Sequence, residues 1–175
     1  MNTKNRRQFI KNTALGIGAL AVSPLTKASL SPKNTISGRV NHSVCYWCYE
    51  SIPLETFAEQ AKTTGVSSIE LLRPDQWETI EKQGLTCAVA TDTLASITDG
   101  FNDPANHLRL QALYEKLIVQ AAEKGLPNVI CFSGNKRQLS REAGLENCAK
   151  GLDPLVKLAE KHNIRLIMEL LNSKV

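Results

Sequence analysis

Glu169 stands in the segment Ile164-Arg165-Leu166-Ile167-Met168-Glu169-Leu170-Leu171-Asn172, whose apolar content calls for burial. An unpaired buried carboxylate is costly, so such a group binds a metal, pairs with a cation or stays protonated. A structural ion pair with a neighbouring strand is the plain alternative. Glu70 lies in a similar string, Ile69-Glu70-Leu71-Leu72, with Arg73 nearby as a partner, and reads as a structural or substrate-positioning residue. Asp92, Ser133 with Asn135, and Asn172 also fall where apolar runs give out. Cys45-Tyr46-Trp47-Cys48 is a C-x-x-C element, which in an exported protein can be a redox pair. Such pairs act from a helix N-terminus. These two cysteines fall within or at the end of a predicted strand, where an odd separation points them to opposite faces, and that argues against thiol redox chemistry. Cys87, Cys131 and Cys148 read as small buried residues, and a total of five gives no disulfide framework. His162 is expected to cap a helix locally. His42 either faces the site or merely ends a linker.

The elements that must hold these residues alternate between β-like and helix-like runs. A strand is predicted from Ser43 to Tyr49, followed by a helix opened by Pro53, with Leu54, Phe57, Ala58 and Ala61 on one face and Gly65 as its stop. A second strand, Ser68 to Leu72, leads through Arg73-Pro74 into a short helix carrying Trp77 and Ile80. The third strand is Leu85 to Thr91. The strongest helical pattern follows: Leu110, Leu113, Tyr114, Leu117, Ile118, Ala121 and Ala122 share a face until Gly125. A fourth strand, Asn128 to Phe132, precedes a helical region from Arg141 to His162. Proline costs about 3 kcal/mol or more in a helix interior, so Pro154 predicts a break near Gly151 with Asp153 capping a restart. The fifth strand is Ile164 to Leu171.

Strands apolar on both faces, separated by helices long enough for a crossover, imply a parallel sheet covered by helices. That leaves a doubly wound sheet or a (β/α)8 barrel. No glycine-rich phosphate fingerprint follows any strand, which weighs against the dinucleotide-binding sheet. Polar residues gathered at strand ends are what a barrel site requires. The expected fold is therefore α/β, an incomplete TIM (β/α)8 barrel consisting of the first five β-strands with their helices. A whole barrel takes roughly 250 residues.

The chain has 175 residues, 42% hydrophobic and 5% aromatic, with a formal charge of +4. Such an apolar share builds a core, and the length suits one domain. Five of the 21 basic residues lie within the first 28 positions, which hold no acid, so the remainder carries 16 bases against 17 acids. The excess charge belongs to the leader, and no nucleic-acid footprint is expected. Within that leader, Asn5-Arg6-Arg7-Gln8-Phe9-Ile10-Lys11 precedes a weakly hydrophobic stretch from Thr13 to Leu25, and Thr26-Lys27-Ala28 offers small residues for cleavage. This resembles a twin-arginine export signal. An N-terminal membrane anchor is the alternative, but the stretch is shorter than the ~20 residues a span needs, so no stable membrane span is expected after cleavage. Residues 1–28 are thus read as signal peptide, 29–40 as linker and 41–175 as barrel, with a periplasmic destination.

Asn41-His42-Ser43, Ile69-Glu70-Leu71, Asn128-Val129-Ile130-Cys131-Phe132-Ser133-Gly134-Asn135 and Glu169-Leu170-Leu171-Asn172 resemble the hydroxypyruvate isomerase-like branch of the xylose isomerase-type sugar isomerases and epimerases. The resemblance covers essentially all of residues 41–175. It implies a (β/α)8 barrel that binds a divalent metal through acidic and His or Gln residues at the ends of strands five to eight. Two glutamates, on strands five and eight, serve in metal binding and proton transfer, and Glu169 matches the first. The strand-six acid, strand-seven ligand and strand-eight glutamate have no counterpart before the sequence ends, and Leu170 stands where the family usually has proline. Glu70, His107, Asn135 and Asn172 are the implied substrate-binding residues. His107 opens the third helix, where family members often carry a histidine near the substrate mouth; a solvated first-turn residue is an equal reading, because a positive charge there opposes the helix dipole.

Moving a carbonyl between adjacent carbons requires removal of a proton beside it and stabilisation of the resulting enediolate. A divalent cation holding both oxygens does the stabilising, and a carboxylate shuttling the proton adds about 10²- to 10⁴-fold. Hard oxygen ligands favour Mg²⁺ or Mn²⁺, and a histidine ligand would admit Zn²⁺ or Co²⁺. The resemblance implies a metal-dependent isomerase of aldose/ketose or hydroxypyruvate-type substrates, taking a small sugar or hydroxy-keto acid. With five strands alone, inactivity and self-association into a homo-oligomer are expected. Sugar epimerisation or keto-sugar dehydration on the same scaffold is the alternative among enzymes. A non-catalytic periplasmic carbohydrate-binding protein is the alternative outside them.

Overall fold

The computed structural model describes residues 40–171. The expected signal peptide, all of the linker but Val40, and Asn172 lie outside the described residues. Five strands, β1 (Ser43–Cys45), β2 (Ser68–Glu70), β3 (Thr86–Cys87), β4 (Asn128–Phe132) and β5 (Arg165–Glu169), alternate with four α-helices, α1 (Leu54–Thr63), α2 (Pro74–Glu81), α3 (His107–Glu123) and α4 (Arg141–Lys161).

Every strand pairing is parallel. Ser43, Val44 and Cys45 lie opposite Ser68, Ile69 and Glu70, and β2 pairs onward with β3. β4 and β5 run in register from Asn128 opposite Arg165 to Phe132 opposite Glu169. Fully buried Ala90 joins the two groups by bridging both Leu72 and Val129. The order is thus 1-2-3-4-5. A doubly wound sheet reverses strand order at a switch point, whereas a barrel keeps neighbours in chain order.

Alternation along the strands separates two faces. Val44, Ile69, Cys87, Val129, Cys131, Leu166 and Met168 point into one core with Phe57, Trp77, Ile80, Leu117 and Leu155 from the helices. α3 commits Leu110, Tyr114, Leu117, Ile118 and Ala121 to that core. Each large apolar side chain so buried contributes about 1.5–3 kcal/mol, which is why the amphipathic pattern fixes the helix in place. On the opposite face lie Ser43, Cys45, Glu70, Ile167 and Glu169, half-buried or exposed.

Besides the shortening of the third strand to Thr86–Cys87, with Ala90 adding isolated bridges, and of the fifth to Arg165–Glu169, three local outcomes differ from the sequence pattern. β1 stops at Cys45, and Tyr46–Tyr49 form a 3₁₀ helix. The turn pulls the Tyr46 ring out of the strand to pack on Phe57 at 5.3 Å, with its hydroxyl donating to the Ile52 carbonyl at 2.8 Å. β2 ends at Glu70 because Leu71 takes a left-handed φ of 60°. The third correction is that α4 runs unbroken through Pro154. Leu155 and Ala159 are buried just beyond the proline, Gln111 donates to the Gly151 carbonyl at 3.0 Å, and a Cβ on Gly151 would sit 2.7–2.8 Å from His107 and Phe101. Docking on both sides of Pro154 outweighs the roughly 3 kcal/mol that proline costs. Asp153 therefore caps nothing and pairs with Lys157 at 2.6 Å.

Candidate active site

The register places Glu70 and Glu169 on the same face of the sheet, each as the last residue of its strand. In a barrel this is the inner face, and the carboxyl ends of the strands are where chemistry is done. Glu70 is half-buried and accepts a hydrogen bond from the Ser43 hydroxyl. Arg73 does not pair with it, turning instead to Asp75 at 3.5 Å. Glu169 is exposed, which corrects the expectation of burial: β5 alternates between exposed and half-buried residues because the helices cover only its Leu166 and Met168 side. Its backbone carbonyl accepts the Ser133 amide at 3.1 Å, so the end of β5 is held against the end of β4.

The other polar residues at strand ends divide between shaping the loops and facing solvent. Asp92 accepts the Leu94 amide at 2.8 Å, an Asx turn that ends the third strand region. Ser133 Oγ accepts the Leu171 amide at 3.0 Å. Gly134 has φ +88°, and a Cβ there would lie 2.5 Å from Asn102 Oδ1 and 2.6 Å from the Gly100 amide nitrogen. The glycine of the Ser-Gly-Asn element is therefore required by this close backbone approach. Asn135 is exposed, with its amide donating to Thr98 O at 3.0 Å and its carbonyl accepting from Asn102 Nδ2 at 2.8 Å. His107 engages α4: its Nε2 lies 2.9 Å from the Phe101 carbonyl and its ring packs on Gly151. The structure thus brings Glu70 and Glu169 to one face and ties His107 into the seam between α3 and α4.

Beside the ends of β4 and β5 an open cleft of about 410 Å³ is lined by Ser133, Gly134, Lys136, Arg141, Leu170 and Leu171. Lys136 and Arg141 were missed as site residues by the sequence reading, although Lys136 follows directly on the Ser-Gly-Asn element and Arg141 opens the helix after it. Between them, Arg137 adopts φ 48° and bridges Asp99 and Asp103, and its guanidinium holds the Asp99 carboxyl below the usual carboxylate range. This ion pair anchors the wall of the cleft to the loop that follows β3.

A divalent cation needs several oxygen or nitrogen donors. Among the described residues no cluster of three or more His, Cys, Asp or Glu side chains forms. Glu169 fits as one corner of such a site, an exposed hard carboxylate on the inner face.

The molecule is an α/β protein with the parallel, chain-ordered strands of a partial TIM barrel. No family model and no curated protein matches the sequence. Solved structures do match in fold. D-psicose 3-epimerase with D-tagatose from Clostridium cellulolyticum H10 has 13% identity and a TM-score of 0.61 over 76% of this chain and 53% of that one. An AP endonuclease of family 2 from Brucella melitensis has 14% identity and a TM-score of 0.64 over 77% and 56%. An IOLI protein with a bound zinc atom has 12% identity and a TM-score of 0.59 over 75% and 52%. This chain spans about half the length of each.

Proposed function

We propose that this chain supplies the first five strands of a metal-dependent sugar isomerase, which interconverts aldose and ketose or hydroxypyruvate-type substrates by moving a proton beside a carbonyl. The observation that carries the reading is the placement of Glu70 and Glu169 on one face at the carboxyl ends of β2 and β5. Glu169, exposed to the space in front of that face, removes the proton and returns it to the adjacent carbon. Glu70, oriented by Ser43, holds a substrate hydroxyl. Lys136 and Arg141 lie beside the open cleft next to Glu169 and orient the far end of the substrate. A bound Mg²⁺ or Mn²⁺, with Glu169 among its ligands, supplies polarisation of the carbonyl. Fold neighbours described as epimerases of D-psicose and L-ribulose support proton transfer on sugars as the chemistry.

The test is solvent exchange. The complete gene product, incubated in D₂O with Mn²⁺ and D-fructose, D-tagatose or hydroxypyruvate, should place deuterium beside the carbonyl, and chelation should abolish it. Binding of these compounds without exchange would instead establish a carbohydrate-binding protein. Export through Arg6-Arg7 is part of the proposal: replacing both with lysine should retain the precursor in the cytoplasm, and undiminished export would remove that part alone.

A further inference from the structure

The C-x-x-C element takes no part in the site described above. Cys45, the last residue of β1, keeps an extended backbone (φ −88°, ψ 124°) and serves as N-cap of the 3₁₀ helix Tyr46–Tyr49. In a 3₁₀ helix three residues complete a turn, so side chains at i and i+3 eclipse one another. Cys45 stands just outside that turn as its N-cap and Cys48 is its third residue, positions whose side chains face each other across the first turn of a helix. The sequence expectation that they point to opposite faces is therefore overturned, because the strand ends between them. Burial raises the Cys45 thiol pKa, and the adjacent Cys48 and Glu70 raise it further, which places the two sulfurs in each other's field. Both are free thiols, Cys45 half-buried and Cys48 exposed.

The turn is held by groups other than the cysteines. Tyr46 donates to the Ile52 carbonyl at 2.8 Å, the Ile52 amide donates to Tyr49 O at 2.8 Å, and the Tyr46 and Tyr49 rings pack on Phe57 at 5.3 and 5.0 Å. Joining the sulfurs leaves these contacts in place. Cys87, Cys131 and Cys148 are buried, the first two with pKa values pushed up to about 11 and about 12, which keeps them as unreactive thiols.

We propose that Cys45 and Cys48 form a reversible dithiol–disulfide pair, oxidised by thiol–disulfide exchange with a disulfide of the glutathione class. The exposed Cys48 thiolate attacks one sulfur of the oxidant, forming a mixed disulfide and releasing one thiolate, which takes up the proton Cys48 lost. Cys45 then gives up its proton and attacks the Cys48 sulfur, forming the intramolecular bond and expelling the second thiolate, which takes that proton. Two electrons leave the protein's two thiols and reduce the oxidant to two thiols. The closed ring contains Trp47, 62% exposed, and lies at the strand end directly opposite Glu70.

The experiment uses the full chain in buffers of graded glutathione to glutathione disulfide ratio, quenched with acid, unfolded and alkylated before peptide mass spectrometry. With rising oxidant, labelled cysteines should fall from five to three. The missing pair should be Cys45 and Cys48, linked within one chain and restored by dithiothreitol. Cys45→Ser should stop at the first stage and accumulate glutathione on Cys48. Retention of both labels on the unaltered chain at every ratio would overturn the proposal, even if the variant fails to fold. So would links formed only between chains.

Discussion

Ser43 and Glu70 sit on neighbouring strands two residue pairs apart in register, and the hydroxyl donates to a carboxylate that is only half-buried. Removing the charge while keeping an acceptor, as in Glu70→Gln, should weaken substrate binding more than it slows chemistry. A hydrogen bond to a charged group is worth about 1.5 kcal/mol at the low end of its range, so KM should rise roughly tenfold with kcat changed less than about threefold. Steady-state kinetics on the complete gene product check this, and a collapse of kcat would make Glu70 a participant in proton transfer. The buried thiols bear on stability instead. Their folded pKa values, about 11 for Cys87 and about 12 for Cys131, lie above the ordinary value of 9.0 because burial penalises the thiolate. The stability they contribute is complete below about pH 9 and is lost as pH rises toward the folded values. Each thiol should forfeit about 1 kcal/mol by pH 10, read as a falling denaturation midpoint that Cys131→Ala makes less steep.

Among the elements, two positions give opposite predictions. Gly134→Ala places a Cβ 2.5–2.9 Å from Asn102 and Gly100 in a left-handed conformation, and should destabilise the fold by about 2 kcal/mol or more. Pro154→Ala restores a backbone donor inside a continuous helix and should stabilise it by about 2 kcal/mol, after allowing for the freer unfolded chain. Thermal unfolding distinguishes the two by the sign of the shift. α3 and β4 were legible in the sequence, because their apolar periodicity matches what they bury: β4 spans the predicted Asn128–Phe132, and α3 presents the predicted stripe. What the sequence concealed depends on partners distant in the chain. The 3₁₀ turn after Cys45 forms because Tyr46 finds Phe57 and the Ile52 carbonyl. The unbroken α4 is maintained by Gln111, Phe101 and His107. Glu169 looked buried because Ile164 to Leu171 is apolar in composition, yet its strand half-buries only Leu166 and Met168 and leaves the alternate residues exposed. The Ser-Gly-Asn element was recognisable, but its tight contact with Gly100 was not, since nothing local requires it.

At the scale of the molecule, parallel strands in chain order carry one helix-covered face and one face that gathers Glu70 and Glu169 at its carboxyl edge. Among the described residues no helix is long and apolar enough to cross a membrane. The central claim is that the second face is catalytic through Glu169. The measurement that tests it most directly is turnover of the Glu169→Gln variant of the complete gene product, assayed with Mn²⁺ alongside the unaltered protein. Glutamine preserves size and solvation on an exposed strand end, so circular dichroism should be unchanged. Loss of a proton-transfer carboxylate should lower kcat by about 100-fold or more and abolish deuterium uptake from D₂O. Near-normal turnover and exchange in the variant would contradict the account and leave Glu169 as an ordinary surface carboxylate.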